Sequence, residues 1–207
     1  MKSKTTLLAL SFLGIFAALF TACQQEDGPV DEYADWQKRN DDYYNKVYAQ
    51  AQTNADGQWR IIRNYSLNEA FGAEPTNNIV AHVEKEFAAS SQGESIPLFT
   101  DTVMVHYQGH LMPTAEHPAG VAFDRSWSGS YDPRTMMPAK FAVSGVVDGF
   151  ATALQNMRPG DRWTVYIPYK LGYGISEKGS IPACSTLVFD ITLVSTHHPG
   201  KPVPAYQ

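Results

Sequence analysis

Apolar side chains in residues 31–52 recur at the spacing of a helix. This stretch contains no Gly or Pro, and Asn54-Ala55-Asp56-Gly57 ends it. The recurring residues are Tyr33, Trp36, Tyr44, Val47, Tyr48 and Ala51. Their spacing near 3.6 residues predicts an amphipathic helix. The aromatic stripe packs against the rest of this chain, forms a dimer seam or binds a ligand; we favour packing within the chain.

Beyond Asn78 the pattern changes to the two-residue alternation that is typical of β-strands. The predicted strands are residues 79–83, 102–107, 141–143, 162–167 and 186–193, preceded by a short strand at residues 59–63. One short helical stretch covers residues 149–154. These elements predict an α+β fold, in which an antiparallel sheet packs on one short helix. Residues 31–77 are predicted to be an N-terminal helical extension of that domain.

The first 22 residues have the layout of a secretory signal peptide. Lys2 and Lys4 form a basic start, and an apolar run follows over residues 7–20. The run is shorter than the roughly 20 residues that a membrane-spanning helix needs. A basic start before a short apolar run is typical of an export signal that is removed from the mature protein.

The apolar run ends at Thr21-Ala22-Cys23, which resembles a bacterial lipoprotein box. In such a box the cysteine becomes the first residue and is acylated, and several acyl chains anchor a protein stably. The resemblance implies a lipid anchor at Cys23, a tether over residues 23–30 and a location in the cell envelope. The alternative is an ordinary cleaved signal peptide that leaves Cys23 as a thiol.

The charge of the chain argues against nucleic-acid binding. The formal net charge is −5, and removal of residues 1–22 takes away two lysines and no acid, so it becomes −7. No basic cluster is present that would attract a phosphate backbone. If Cys23 is acylated, Cys184 is the single remaining thiol, so we expect no intramolecular disulfide.

The histidines do not have the spacing of a metal site. His106 and His110 would lie about 13 Å apart along a strand, too far to share an ion. The sequence contains neither a His-Glu-x-x-His nor a Gly-x-Ser-x-Gly motif. We therefore predict no metal, no cofactor and no nucleophilic residue.

Five segments occur in the order that is typical of FKBP-type peptidyl-prolyl cis/trans isomerases, and the chain resembles that family over about residues 78–195. The segments are Val103-Met104-Val105-His106-Tyr107-Gln108-Gly109, Phe123-Asp124-Arg125-Ser126, Val146-Val147-Asp148-Gly149-Phe150, Met157-Arg158-Pro159-Gly160-Asp161, and Ile167-Pro168 with Leu171-Gly172-Tyr173-Gly174 followed by Ile181-Pro182. The resemblance implies an FKBP-like half-barrel sheet around one helix, with residues 196–207 as a tail. It also implies proline-containing polypeptides as substrates and macrolide-type compounds as inhibitors.

The family also implies where the site lies. Asp124, Tyr107 and Tyr173 correspond to its catalytic residues, and Phe123, Val146, Val147, Phe150, Ile181 and Phe189 to the substrate pocket. Rotation about an X–Pro bond is slow because the twisted amide loses its resonance. An enzyme therefore needs only to favour the twisted state, and an aromatic pocket with a few polar groups is sufficient.

Two positions depart from the family pattern. Phe150 stands where the family usually has Trp, and Ala139 stands where a pocket Phe is usual. The residues that follow Asp124 form an unusually long loop, and its Trp127 or Tyr131 are candidates to refill the wall. We expect a catalytic isomerase that assists the folding of exported proteins. The alternatives are a non-catalytic binding module and an assembly component based on the N-terminal helix.

Overall fold

The computed structural model describes residues 31–68, 72–85 and 96–200. Within these residues two α-helices and seven strands form the fold. The helices are α1 (Trp36–Thr53) and α2 (Asp148–Leu154), and the strands are β1 (Trp59–Arg63), β2 (Asn78–Lys85), β3 (Thr102–Leu111), β4 (Ala122–Arg125), β5 (Ala139–Ala142), β6 (Arg162–Ile167) and β7 (Leu187–His197). The predicted signal peptide, the tether and Cys23 lie outside the described residues.

The strands form one antiparallel sheet in the order β1-β2-β6-β7-β3-β4, and β5 also pairs with β3. The central pair is the longest, with Thr102 opposite His197 and Leu111 opposite Leu187. Helix α2 packs on this sheet, and every residue from Gly149 to Leu154 is buried. The predicted α+β class, with an antiparallel sheet around one short helix, is confirmed.

Close packing of α2 requires a glycine in its first turn. A Cβ atom at Gly149 would lie 2.3 Å from Cγ2 of Ile167 on β6. Real Cβ atoms do not approach another carbon so closely, and the contacted atom belongs to a fully buried side chain. The missing side chain therefore allows the helix to lie against the sheet, which places the residues just before α2 beside β3 and β7.

Helix α1 packs against the same domain, as the preferred interpretation of its aromatic stripe predicted. Its buried residues follow helical spacing and are Trp36, Asn40, Tyr44, Val47 and Ala51. Tyr44, Val47 and Ala51 pack with Trp59 of β1 and Val80 of β2. The Tyr44 hydroxyl also donates a 2.7 Å hydrogen bond to the carbonyl of Asn78. Most of the stripe from Trp36 to Ala51 is thus covered by the chain itself, whereas Tyr33 is exposed.

The ends of α1 are set by backbone conformation. The helix was predicted from residue 31, but it begins at Trp36 because Asp35 adopts a left-handed conformation with φ of 51°. Its last turn ends at Asn54, which is also left-handed with φ of 43°. Asparagine and aspartate tolerate this region better than most residues. The predicted stop at Asn54 agrees with the structure.

The helical extension and the isomerase-like region pack as one compact unit that begins at Glu32. The boundary drawn at residue 78 therefore does not correspond to a gap in packing. Strand β1 extends the sheet by pairing with β2, and Trp36 belongs to the same buried cluster as Phe150 and Leu154. At the other end β7 runs to His197, so the predicted tail at residues 196–207 begins inside a strand. Among the described helices, none combines the length and the hydropathy needed to span a bilayer.

Candidate active site

Strands β3 and β4 bring together the two polar residues at the mouth of a cavity. The Tyr107 hydroxyl donates a 2.6 Å hydrogen bond to Oδ2 of Asp124. The other carboxylate oxygen, Oδ1, accepts a 2.8 Å hydrogen bond from the amide of Arg125. Ser126 fixes the backbone of Tyr107 through two hydrogen bonds. The amide of Ser126 donates to the carbonyl of Tyr107 at 2.9 Å, and the amide of Tyr107 donates to Oγ of Ser126 at 3.0 Å. The carboxylate is thereby held in one orientation although Asp124 itself is exposed.

The cavity behind these residues has a volume of about 460 Å³. Its lining is mainly aromatic and aliphatic, which suits a pyrrolidine ring or a similar apolar group. The lining residues are Tyr107, Asp124, Phe141, Gly145, Val146, Val147, Phe150, Tyr173, Lys178 and Phe189. No serine, cysteine or histidine is among them, and the polar side chains of the lining are those of Tyr107, Asp124, Tyr173 and Lys178.

Phe150 is the most deeply buried ring of the cavity, with 3% of its surface exposed. Its ring makes edge contacts with Phe189, Tyr107 and Phe141 at centroid distances of 5.0, 6.1 and 6.3 Å. Aromatic rings prefer such T-shaped contacts to a face-to-face sandwich. The four rings therefore hold one another in place and define an apolar surface that a substrate does not have to organise.

The residues that directly precede helix α2 also line the cavity. Val146 and Val147 are extended, and Val147 is the N-cap of α2. The amide of Val147 donates no hydrogen bond to another described residue, as is usual for backbone groups at the start of a helix. A donor beside an apolar cavity can hold a carbonyl oxygen of a bound peptide.

Both tyrosines of the cavity remain protonated at neutral pH. Burial raises the pKa of Tyr107, and the hydrogen bond to Asp124 and the charge of that carboxylate raise it further. Burial also raises the pKa of Tyr173, with a further contribution from the charge of Asp124. Two neutral hydroxyl groups therefore line the cavity together with the Asp124 carboxylate and Lys178, and such groups can orient a peptide.

The structure brings together seven of the nine residues predicted for the site. The ring of Phe123 contacts the ring of Phe189 at a centroid distance of 5.5 Å. It also occupies the space that a side chain at Gly109 would need. Ile181 is buried in the core and pairs with Lys178 in an isolated bridge. Neither of these two residues lines the cavity, although each contacts a residue that does.

Sequence reasoning missed three lining residues, Phe141, Gly145 and Lys178. Phe141 lies two residues after Ala139 on β5, so strand alternation places both side chains on one face, and Phe141 lines the cavity. This alternation could have identified it. Lys178 lies in a loop whose sequence has no periodic pattern, so nothing in the sequence indicated that it lines the cavity.

The long loop after Asp124 does not fill the cavity. Tyr131 contacts His106 at a centroid distance of 5.4 Å, and Trp127 contacts Tyr131 at 4.6 Å. His106 lies on the other face of β3 from Tyr107, so these aromatic rings cover the outer side of the sheet. Neither ring refills the wall at Ala139, which corrects that expectation.

One group of potential metal ligands occurs within the described residues. Glu32, Glu116 and His117 have ligand atoms within 4.8 Å of one another. Glu32 Oε1 already accepts hydrogen bonds from Thr114 and His117 at 2.6 and 2.7 Å. None of these residues lines the cavity.

Comparison with known proteins agrees with this geometry. A family profile described as FKBP-type peptidyl-prolyl cis-trans isomerase matches residues 93–194. The chain contains an FKBP-type isomerase domain. The matched FKBP region includes every residue that lines the cavity, from Tyr107 to Phe189.

Two relatives show the level of similarity. The FKBP-type 22 kDa peptidyl-prolyl cis-trans isomerase of Escherichia coli is 40% identical over 111 residues, which is 53% of this chain and 48% of that protein. The macrophage infectivity potentiator of Trypanosoma cruzi is 38% identical over 114 residues, which is 55% of this chain and 52% of that protein. The chain thus spans about half the length of these curated relatives.

A solved structure agrees with the fold. A peptidyl-prolyl cis-trans isomerase from Pseudomonas syringae pv. tomato superimposes with a TM-score of 0.54 at 23% identity, covering 78% of this chain and 96% of that one. At this identity the likeness establishes the FKBP-type fold alone.

Proposed function

We propose that this protein is a peptidyl-prolyl cis/trans isomerase that acts on proline-containing segments of exported polypeptides. The observation that carries the proposal is the Tyr107–Asp124 hydrogen bond at the mouth of an aromatic cavity centred on Phe150. The FKBP-type profile over residues 93–194 supports it.

Catalysis in such a site is non-covalent. The pyrrolidine ring of the substrate would enter the aromatic cavity and lose contact with water, while the amide of Val147 and the hydroxyl of Tyr173 hold carbonyl groups of the peptide. Groups that bind the twisted amide more tightly than either planar form lower the barrier. Because the twisted amide has lost its resonance and its partial charges differ from the planar state, fixed dipoles and the Asp124 carboxylate act on it electrostatically.

The neutral state of the tyrosines suits this role. A protonated hydroxyl donates a hydrogen bond, and burial together with the Asp124 carboxylate keeps Tyr107 in that state. Rotation about the C–N bond of an amide requires no proton transfer, metal or cofactor. Macrolide-type inhibitors, which the family resemblance implied, are proposed to compete for the same cavity.

We propose further that Cys23 is acylated and that the mature protein acts at the cell envelope. The support is the apolar run that ends at Thr21-Ala22-Cys23. Growth with a fatty-acid analogue is expected to label the wild-type protein and not a Cys23→Ser variant. Equal labelling and equal membrane association of the two would contradict the anchor.

A refolding experiment tests the proposed activity. A model substrate protein whose slow refolding phase is limited by proline isomerisation is mixed with catalytic amounts of this protein. That phase takes tens to hundreds of seconds without a catalyst. We expect it to accelerate in proportion to the amount of the protein added, and an unchanged slow phase would contradict the proposal.

A further inference from the structure

The loop between β6 and β7 carries part of the cavity wall. This pocket loop comprises residues 172–186 and supplies Tyr173 and Lys178 to the lining. Its tip, residues 175–180, is exposed. Near its ends the amide of Cys184 donates a 2.9 Å hydrogen bond to the carbonyl of Gly174, so the two arms of the loop are joined.

Helix α1 holds the C-terminal arm of the pocket loop through two buried residues. The indole Nε1 of Trp36 donates a 2.9 Å hydrogen bond to Oγ of Ser185. The amide of Thr186 donates a 2.7 Å hydrogen bond to Oδ1 of Asn40, and its hydroxyl reaches the Asn40 carbonyl at 3.3 Å. The helix therefore contacts the loop with directional bonds as well as with apolar surface.

These hydrogen bonds lie in a dry part of the molecule. Asn40 is fully buried, and Ser185 and Thr186 are 3% and 1% exposed. The Asn40 amide nitrogen also donates to the carbonyl of Trp36 at 2.8 Å, which orients its oxygen towards the loop. Removal of the Asn40 side chain would leave the Thr186 amide without its acceptor, and an unsatisfied buried amide is costly.

A short path of contacts connects α1 to the cavity. Ser185 is adjacent to Cys184, whose amide is bound to the carbonyl of Gly174. Gly174 follows Tyr173 directly, and Tyr173 lines the cavity. Cys184 itself has a left-handed backbone with φ of 60°, a strained conformation that persists only where its surroundings fix it.

We infer that α1 is a positioning element for the pocket loop, and that Trp36 and Asn40 keep Tyr173 and Lys178 in place against the bound peptide. The inference rests on the proposed function for its effect on catalysis. Without these bonds the loop has to be ordered when substrate binds, and that ordering weakens binding. The expected signature is therefore a higher KM with a smaller change in kcat.

The chain offers a matched control on the same helix. The Tyr44 hydroxyl makes a buried 2.7 Å hydrogen bond to the Asn78 carbonyl at the start of β2, which lies outside the pocket loop. A Tyr44→Phe variant loses one buried hydrogen bond of α1 without touching Ser185 or Thr186. This variant therefore shows how a general loss of α1 stability affects amide exchange, kcat and KM.

The experiment compares Asn40→Leu with Tyr44→Phe in the otherwise complete chain. Amide hydrogen exchange is measured at Cys184 and in β6, and kcat and KM are measured on a proline peptide well below the unfolding temperature. For Asn40→Leu we expect exchange at Cys184 to accelerate about tenfold or more relative to β6, and KM to rise about threefold to tenfold. For Tyr44→Phe we expect neither change.

Exchange at Cys184 that matches the wild type, or the same pattern in both variants, would overturn the inference. If Asn40→Leu does not fold, Ser185→Ala replaces it, because this change removes the acceptor of Trp36 from the loop side. If the wild-type protein shows no isomerase activity, the proposed function is wrong. The exchange data would still decide whether α1 orders the pocket loop.

Discussion

Tyr107 and Asp124 lie on neighbouring strands, and the 2.6 Å hydrogen bond between them closes one side of the cavity mouth. The bond uses the buried tyrosine as donor and the exposed aspartate as acceptor, so the carboxylate is fixed while one side faces solvent. A carboxylate with a fixed position can act on a bound amide through its electrostatic field.

This geometry predicts a graded effect of substitutions at Asp124. Asp124→Asn retains an acceptor but loses the charge, whereas Asp124→Ala loses both. We expect kcat/KM to fall about twofold to tenfold in Asp124→Ala and less in Asp124→Asn. Combining Asp124→Ala with Tyr107→Phe is expected to cost less than the two separate losses together, because the residues share one bond. Strictly additive losses would show that the bond does not contribute to catalysis.

The size of the cavity leads to a prediction for Phe150. The indole in Phe150→Trp is larger than the phenyl ring, and neither Trp127 nor Tyr131 occupies the cavity. We expect this variant to keep or raise kcat/KM. Urea unfolding measured beside the assay distinguishes a filled cavity from overpacking, which would cost about 1–3 kcal/mol. Lower activity together with undiminished stability would contradict this account of the pocket.

The fold could be predicted from the sequence wherever local pattern and final contacts agree. Strands β1 and β6 match the predicted residues, and in β6 buried residues alternate strictly with more exposed ones. Strand β4 was missed because it has four residues and is mostly exposed, so only pairing with β3 defines it. The start of α1 was misplaced because apolar spacing carries no information about the left-handed backbone of Asp35.

The site was predicted where motifs specify residue types, and it was incomplete where tertiary structure decides. Tyr107 and Phe150 line the cavity as expected. Whether an aromatic ring lines a cavity or packs beside it depends on small displacements in the folded structure. The sequence therefore could not show that Phe189 lines the cavity and Phe123 does not. The role of Asn40 was out of reach because its partner Thr186 is 146 residues away.

The packing of α1 revises one expectation from the sequence. All five motif segments lie beyond residue 75, so the sequence alone predicts that removal of residues 24–75 leaves a folded domain. The structure instead predicts that this truncation lacks a cooperative thermal transition, since it removes α1 and β1 and uncovers Val80, which is fully buried beneath them. Truncating a single large core side chain costs about 2–5 kcal/mol, and a domain is stable by only about 5–15 kcal/mol. A cooperative transition near that of the complete chain would contradict this prediction.

His82 predicts a dependence of stability on pH. Its ring nitrogens Nδ1 and Nε2 lie 2.8 and 3.0 Å from carboxylate oxygens of Glu84 and Asp56. Burial alone lowers the pKa of His82, but the hydrogen bonds and charges of Asp56 and Glu84 outweigh it and raise the pKa above 6.5. The contacts link β2 to the turn between α1 and β1.

A raised pKa in the folded state means that the contribution of His82 is fully present below its unfolded pKa and is lost as pH rises through the folded value. We therefore expect the free energy of unfolding to fall between about pH 6 and about pH 8. A His82→Gln variant is expected to lose this part of the pH dependence, as measured by urea unfolding at both pH values. An identical pH dependence in the variant would remove His82 as its cause.

The most direct test of the isomerase site is a measurement of kcat/KM on one proline peptide. The wild type is compared with an Asp124→Ala/Tyr173→Phe double variant. Circular dichroism checks that the double variant is folded. We expect the wild type to exceed the uncatalysed rate clearly and the double variant to lose about tenfold or more, because both changes remove polar groups from the cavity. A wild-type rate equal to the uncatalysed rate would contradict the isomerase function. An active wild type with an equally active double variant would show that catalysis occurs elsewhere.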